Sequence, residues 1–310
     1  MQELHQSMTK ALENNEFQIN AEKIKNFLTL CKLRVNSLIV FTAVIGMFLS
    51  TPGMVPWDIL FSGIIGIGFV AAAAAAFNCL IEESIDTKMA RTRARPLGTG
   101  KISQQETLVL ASMLGLVGLA VLFFFVNFLT MWLTLITFFA YAAIYTVFLK
   151  PATPMNIVIG GASGAMPPVL GWAAVNNQLA PEAWILFLII FCWTPPHFWA
   201  LALYRREEYA KVGIPMLPVT HGEKFTLLHI ILYTIILAIV TLMPFSVGMS
   251  GLIYLFFATI LNAIFLYYVV VLYRNYSDKL SKKVFNYSIL YLSLIFAAFL
   301  VDHYYKFIFV

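Results

Sequence analysis

Charged residues are scarce in this chain of 310 residues: Asp, Glu, Lys and Arg make up 11% of it, and the apolar set AVILMFWYC makes up 61%. Soluble globular proteins have about 25% charged and about 45–50% apolar residues. So much apolar surface excludes both a soluble fold and intrinsic disorder. The apolar segments are long and continuous, which excludes a membrane β-barrel, whose strands alternate over about ten residues. We therefore predict an all-α fold, a polytopic bundle of transmembrane helices.

Cysteine is also scarce. Cys31, Cys79 and Cys192 lie at or inside apolar segments without the spacing of a metal knuckle, so the sequence predicts neither disulfides nor a zinc site. Residues 1–28 carry both signs of charge and lack an apolar h-region, so we expect neither a signal peptide nor an Arg-rich transit peptide. We interpret 1–28 as a polar cytoplasmic segment and 29–306 as one membrane domain.

Apolar segments of about 20 residues, separated by polar clusters, predict nine transmembrane helices. Their approximate bounds are 30–50, 57–80, 105–126, 128–149, 154–175, 183–204, 226–247, 251–273 and 285–305. Of the 20 Lys and Arg residues, all but Lys306 fall on one side of this arrangement. By the positive-inside rule, the N-terminus is cytoplasmic and the C-terminus lies outside. The net charge of +5 is thus an orientation signal, and we expect no nucleic-acid partner.

The loop after the second predicted helix contains the first candidate site. Asn78, Glu82 and Asp86 are spaced four residues apart, which on a helix places them on one face, about one turn apart. Their oxygens suit Mg²⁺, which keeps several waters and is usually shared with substrate phosphates. Four basic residues that suit phosphate oxygens follow in the same loop: Lys88, Arg91, Arg93 and Arg95. The alternative is a solvated loop whose charges only fix the topology, although polar groups at membrane depth are usually functional.

The sixth predicted helix and the loop after it form the second candidate region. Pro195 and Pro196 are expected to break or kink the helix and to free backbone carbonyls. His197, which follows them, either ligates iron, donates to a substrate carboxylate or hydrogen-bonds a freed carbonyl. The next loop mixes acidic, aromatic and basic residues, among them Glu208, Tyr209 and Lys211. On its own that mixture is a weak signal.

These residues together resemble the motifs of the UbiA superfamily of intramembrane prenyltransferases, over about residues 25–305. The resemblance rests on three strings, which are Asn78-xxx-Glu82-xxx-Asp86 with the basic run to Pro96, Trp193 to Trp199, and Glu208-Tyr209 to Val219. The last two strings resemble the branch of the family that acts on haem. The family usually has Asp where Glu82 and Glu208 stand, and both changes keep the charge.

The resemblance implies nine helices and a Mg²⁺-dependent transfer of farnesyl from farnesyl diphosphate to a vinyl group of haem B. Water adds in the same reaction, which gives haem O and diphosphate for the biogenesis of haem-copper terminal oxidases. The residues implied fall into three groups: metal-binding and catalytic Asn78, Glu82, Asp86 and Glu208; diphosphate-binding Lys88, Arg91, Arg95 and Lys211; and acceptor-binding His197, Trp193 and Tyr209.

The resemblance also implies a location and a setting. We expect a multi-pass protein of the bacterial inner membrane, embedded in the lipid bilayer, with its active site on the cytoplasmic side and a haem A synthase acting downstream. Tyr141 and Tyr145, four residues apart in the fourth helix, either line the cavity or, as we interpret them, only pack.

Other functions stay open at this point. A prenyltransferase of the same superfamily with an aromatic quinone precursor as its acceptor is the first alternative. A transporter is the second, because proline-broken helices and buried polar groups also build transport sites. A transporter does not explain why acidic and basic residues cluster on one side of the membrane. For a third alternative, a non-catalytic assembly factor, the sequence offers no specific support.

Overall fold

The computed structural model describes residues 21–309, with side chains described as far as residue 305. Every regular element in this range is a helix, which confirms the predicted all-α fold. Eight helices are long and apolar enough to cross a bilayer, and a bent pair near the start gives a ninth if it counts as one span. Residues 1–20 of the predicted polar segment 1–28 lie outside the described range.

The helices are, in chain order, α1 Ala21–Leu30, α2 Leu33–Leu49, α3 Trp57–Ile81, α4 Glu83–Asp86, α5 Gln104–Phe125, α6 Phe128–Phe139, α7 Lys150–Ala152, α8 Asn156–Ala165, α9 Pro167–Asn176, α10 Pro181–Tyr204, α11 Arg206–Lys211, α12 Leu217–Thr220, α13 Gly222–Val240, α14 Met243–Ser246, α15 Leu252–Arg274 and α16 Asp278–Phe309. A π-helix, Ala140–Leu149, joins α6 to α7, so one span runs over Phe128–Ala152. The last helix begins at Asp278 rather than at the predicted residue 285.

Two of the predicted spans are interrupted. The chain bends by 56° between α1 and α2, where Lys32 has a left-handed conformation with a φ of 48°, which is uncommon for a residue with a side chain. The predicted span 154–175 is divided into α8 and α9 at Pro167, the first residue of α9. Proline lacks the N–H that would continue the hydrogen-bond ladder, and it is well tolerated in the first turn of a helix.

Pro195 and Pro196 were predicted to break or kink their helix, and the break is wrong, because α10 runs through both prolines. This helix is the centre of the bundle, because it packs against α8, α13 and α16. In its most apolar stretch of 18 residues 78% of the residues are buried, compared with 17% in α5. The two prolines have no backbone N–H to donate, but packing on several sides keeps the helix continuous. Membrane helices commonly tolerate proline in this way.

Small residues allow the closest contacts between helices, as expected in lipid, where packing rather than the hydrophobic effect joins helices. Gly66 of α3 and Gly118 of α5 face each other, and a Cβ at Gly118 would lie 2.8 Å from the carbonyl oxygen of Gly66. Gly171 of α9 lies against α2, where a Cβ would be only 1.9 Å from the carbonyl oxygen of Ala43. These contacts join α3 to α5 and α2 to α9.

The substitution Gly171→Ala tests the α2–α9 contact. We expect it to lower stability by about 1–3 kcal/mol, because the backbone oxygen of Ala43 cannot move aside as a side chain would. Gly164→Ala in α8 is the control, since nothing lies within 4 Å of a Cβ there and alanine favours helix by about 1 kcal/mol. Thermal unfolding in detergent measures both, and an equal Tm for the two variants would contradict the packing described.

Candidate active site

Three polar residues are buried where α3 ends. Asn78, Glu82 and Asp86 are 3%, 6% and 4% exposed. The helical conformation is interrupted at Glu82, with φ −92° and ψ 5°, so α3 stops at Ile81, close to the predicted residue 80, and a short helix, α4, follows. The four-residue spacing of backbone hydrogen bonds nevertheless continues, since Glu82 N donates to Asn78 O at 3.0 Å and Asp86 N donates to Glu82 O at 2.8 Å. The interruption therefore keeps the three side chains together.

Each of these residues has a basic partner from another part of the chain. The ammonium of Lys32, at the bend between α1 and α2, donates to the amide oxygen of Asn78. Lys150, the first residue of α7, pairs with Glu82, and Arg95 of the following loop pairs with Asp86. Buried carboxylates need such partners, because an isolated charge is very costly away from water.

The carboxyl group of Glu82 is held in its charged form. Burial raises the pKa of Glu82, but the charge and hydrogen bond of Lys150 and the charge of Lys32 lower it by more, so the pKa lies below its ordinary value of 4.5. Near neutral pH this site therefore presents carboxylate oxygens, which are acceptors and ligands for hard cations.

Lys32 and Lys150 are the two site residues that the sequence prediction missed, because it counted them only as orientation signals. The available signal was position: each is a lone lysine between apolar residues at the edge of a span. An ionisable residue at such a depth is a candidate for function.

The loop after α10, which contains α11, lies close to the loop after α3. Glu208 of α11 accepts a hydrogen bond from Arg205 Nη1 at 2.7 Å, while its other oxygen, Oε2, is buried and has no hydrogen-bond partner among the described residues. Burial raises the pKa of the neighbouring Tyr209, and the charges of Arg91 and Arg205 oppose that rise. Arg91 belongs to the first loop, so the two loops lie within electrostatic range of each other.

The four basic residues implied for diphosphate binding differ in their surroundings. Arg95 is partly buried against Asp86. Lys88, Arg91 and Lys211 are exposed and form no ion pair with the residues that the structure describes. The last three are thus available to a phosphate without first breaking an ion pair.

Two tyrosines on the π-helix lie beside the buried acids. The rings of Tyr141 and Tyr145 stack with centroids 5.7 Å apart, and both phenols are within electrostatic range of Glu82 and Arg91. Thr146 joins the π-helix to Asn78, because its hydroxyl donates to Tyr141 O at 2.8 Å and accepts from Asn78 Nδ2 at 3.3 Å. π-helical turns are frequent at functional sites, and this one places both tyrosines near the buried acidic residues.

Trp193 and His197 form a separate aromatic cluster between α10 and α16. The imidazole of His197 stacks on Trp193 with centroids 4.2 Å apart and on Phe285 at 4.5 Å. Trp193 Nε1 donates to Ser288 O at 2.7 Å, and His197 Nδ1 is 2.7 Å from Ser288 Oγ. Among the described residues, no hydrogen bond or ion pair joins this cluster to the acids.

Glycines of α8 link the two parts of the site. A Cβ at Gly160 would lie 2.1 Å from the Tyr145 ring, and one at Gly161 would lie 3.0 Å from Thr194, next to Trp193 in α10. The absence of side chains at Gly160 and Gly161 therefore brings the π-helix and the centre of α10 against the same short helix.

The residues present fit a magnesium ion only if other ligands share it. No three Asp, Glu, His or Cys side chains converge on one point within residues 21–305, so these residues form no closed protein cage. Amide and carboxylate oxygens and the unpartnered Oε2 of Glu208 do match the usual mode of Mg²⁺, with one or two carboxylates, waters and substrate phosphates as ligands.

Comparison with known proteins identifies close relatives. A profile of the UbiA prenyltransferase family matches residues 39–297. A protein of Nitrosospira multiformis named protoheme IX farnesyltransferase is 64% identical over 291 residues, which cover 94% of this chain and 98% of the relative. A protein of the same name from Nitrosomonas eutropha is 62% identical over 285 residues, which cover 92% and 96%.

Solved structures share the fold. A structure described as that of digeranylgeranylglyceryl phosphate synthase superimposes with a TM-score of 0.76 at 21% identity and covers 91% of this chain and 99% of its own. A UbiA homologue from Archaeoglobus fulgidus bound to GPP and Mg²⁺ has a TM-score of 0.61 at 18% identity and covers 88% and 99%. At this identity the likeness concerns the fold alone.

Replacing the cation of the Lys150–Glu82 pair tests the charge balance. Lys150→Met should cost about 3–5 kcal/mol, because it leaves the buried carboxylate without its nearest cation. The pKa of Glu82 should then rise, and the Tm deficit should shrink as the pH falls from about 7.5 to about 5, since protonation discharges the carboxylate. Thermal unfolding in EDTA measures this deficit.

Two further variants serve as controls. The double variant Lys150→Met/Glu82→Gln should recover much of the lost stability, because no charge is left unpaired. Lys101→Met breaks an exposed pair with Glu22 and should cost less than about 1 kcal/mol. A Lys150→Met variant as stable as Lys101→Met would show that the buried pair has no such role.

Proposed function

The chain belongs to the UbiA prenyltransferase family and is a prenyltransferase, and from that premise we propose that it transfers a farnesyl group from farnesyl diphosphate to haem B. The observation that carries the proposal is the set of buried acids and basic partners where α3 ends, beside a second acidic loop. The high identity to proteins named protoheme IX farnesyltransferase supports haem as the acceptor.

The diphosphate binds between the two loops. We propose that Asn78, Glu82, Asp86 and Glu208 would hold Mg²⁺ together with phosphate oxygens. Bound there, the metal supplies positive charge that neutralises the leaving diphosphate. The support for this assignment is chemical: Asn78, Glu82 and Asp86 present buried oxygen ligands, and Glu208, whose side chain is 25% exposed, has one buried oxygen without a partner among the described residues.

Basic residues bind the phosphate oxygens as charge builds on them. The residues proposed for this role are Lys88, Arg91, Arg95 and Lys211. Three of them are exposed and carry no ion pair within the described part of the chain, so they reach a phosphate at little electrostatic cost. Cations beside the leaving group stabilise the negative charge that develops on it in the transition state.

The chemical step joins two carbon atoms. The C1–O bond of farnesyl diphosphate breaks and its electron pair leaves with the diphosphate. C1 then bonds to the terminal carbon of a haem vinyl group, and the cation on the adjacent carbon, which the porphyrin stabilises, takes the oxygen of a water and releases a proton. The product is haem O with its hydroxyethylfarnesyl group. The first cation requires apolar surroundings, because bulk water would trap it.

Haem contacts the aromatic residues of the second region. We assign this role to His197 and Trp193, which are buried between α10 and α16, and to Tyr209, which is buried beside Glu208. The positive-inside pattern supports an active site on the cytoplasmic face of a bacterial inner membrane. The product would serve haem-copper oxidases, with a haem A synthase as the downstream enzyme.

A product assay tests this function directly. Purified protein in nanodiscs receives farnesyl diphosphate, haem B and Mg²⁺, and released pyrophosphate and the mass of the extracted haem are measured. We expect stoichiometric pyrophosphate and haem O. Prenylated product from 4-hydroxybenzoate but not from haem would establish the quinone-precursor alternative, and no pyrophosphate with either acceptor would refute prenyl transfer.

Neighbouring glutamates provide matched variants for the same assay. Glu82→Gln should lower the turnover by about 100-fold, because it removes a buried charged ligand. Glu83→Gln changes a carboxylate that accepts a hydrogen bond from Gln104 on another side of the helix turn and should leave the turnover near that of the wild type. Equal rates for the two variants would contradict the proposed site.

Cysteine labelling tests the orientation. The three native cysteines are free and buried, so a single introduced cysteine is the main reactive one. In intact spheroplasts we expect an impermeant maleimide to label Gln178→Cys, in the exposed loop between α9 and α10, and not Thr99→Cys, in the exposed loop before α5. The opposite pattern would place the acidic loops on the outer face.

A further inference from the structure

Ser288 anchors both aromatic residues of the α10 cluster at one point of α16. It is fully buried, its carbonyl accepts the indole N–H of Trp193 at 2.7 Å, and its hydroxyl lies 2.7 Å from Nδ1 of His197. Neither the sequence motifs nor the similarity to known proteins assigns a role to this serine. Its contacts decide what the histidine can do.

The serine hydroxyl determines which nitrogen of His197 carries the proton. Ser288 Oγ donates to the carbonyl oxygen of Phe285 at 2.6 Å. A serine has only one hydroxyl hydrogen and a carbonyl oxygen can only accept, so both contacts of Oγ are hydrogen bonds at the same time only if Nδ1 of His197 is the donor. In a neutral imidazole the other nitrogen, Nε2, then carries a lone pair and no proton.

The environment favours the neutral ring and keeps it in one orientation. His197 is 7% exposed, and Trp193 and Phe285 cover its two faces. Rotating the ring by half a turn would break the contact with Ser288. Among the described residues, Nε2 has no hydrogen-bond partner. An aromatic sandwich of this kind leaves only the ring edge for a ligand, which is the direction in which imidazole coordinates a metal.

This geometry separates the three roles open to His197. A nitrogen without a proton cannot donate to a substrate carboxylate, and the hydrogen bond that the ring does make is to a hydroxyl rather than to a freed carbonyl. A neutral imidazole whose second nitrogen donates to a fixed acceptor is the usual arrangement of a metal-binding histidine. Phe198 extends the cluster to the surface of the bundle. Its ring is centred 5.1 Å from the centre of the imidazole, and the residue is 37% exposed.

We propose that Ser288 is a positioning residue that holds His197 with Nε2 available, so that Nε2 coordinates the iron of the haem acceptor. The inference rests on the proposed function for the identity of the acceptor. Coordination fixes the porphyrin at its centre, and the orientation of the ring then decides which edge is presented to the farnesyl cation. No bond of the porphyrin is made or broken at this point.

Haem binding in the absence of farnesyl diphosphate tests this inference apart from turnover. Purified wild-type protein in nanodiscs is titrated with haem B, and the absorption spectrum and the iron–histidine stretch in resonance Raman are recorded. We expect an imidazole-ligated spectrum. His197→Ala should lose the iron–histidine signal and bind haem about tenfold more weakly or worse, and added imidazole should restore the signal.

Variants of the serine separate positioning from general packing. Ser288→Ala should weaken the iron–histidine signal and haem affinity by about tenfold, whereas Ser288→Thr keeps the hydroxyl and should retain both. Ser293→Ala, at an exposed hydroxyl one and a half turns further along α16 that bonds only Ile289 O at 3.0 Å, is the control and should behave as the wild type. Monodisperse size-exclusion profiles confirm that each variant is folded.

The outcomes are distinguishable. An iron spectrum that is unchanged in His197→Ala or in Ser288→Ala would overturn the inference. The proposed function would still hold in that case, provided that the wild type produces haem O. If His197→Ala does not fold, the comparison of Ser288→Ala with Ser288→Thr decides alone. Wild-type protein that neither binds nor prenylates haem would instead refute the proposed function.

Discussion

The compensation of buried negative charge at the end of α3 is the interaction on which the site depends. A membrane bundle tolerates Glu82 and Asp86 at low exposure only because Lys150 and Arg95 lie against them, and Lys32 beside them donates a hydrogen bond to the neutral amide oxygen of Asn78. The partners come from the bend between α1 and α2, from the end of the π-helix and from the loop after α4. One cluster of charges therefore ties three parts of the chain to α3.

In the proposed function, the two substrates bind to two regions that differ in polarity. The charged region where α3 and α10 end suits a diphosphate, and the aromatic region between α10 and α16 suits a porphyrin. Gly160 of α8 lies against Tyr145, next to the charged region, and Gly161 lies against Thr194, next to the aromatic region. The stacked tyrosines beside Glu82 thus lie between the two regions, where a carbocation would need aromatic walls rather than water.

Local properties of the sequence predicted the fold class, the number of spans and the grouping of Asn78, Glu82 and Asp86, because span length and four-residue spacing are visible in a single segment. The partners were not visible, since Lys32 reaches Asn78 across 46 residues and Lys150 reaches Glu82 across 68, and Ser288 reaches His197 across 91. Of the break or kink expected at Pro195 and Pro196, the break does not occur, because packing around α10 outweighs the local preference of proline.

Binding of an unreactive isoprenoid diphosphate measures the central claim most directly. Calorimetric titration of the purified protein with farnesyl thiolodiphosphate should show binding that requires Mg²⁺, that is lost in Asp86→Asn and that persists in Glu83→Gln. Equal affinity in EDTA, or in Asp86→Asn, would contradict the account, because the diphosphate would then be held without the oxygens that α3 and α4 present.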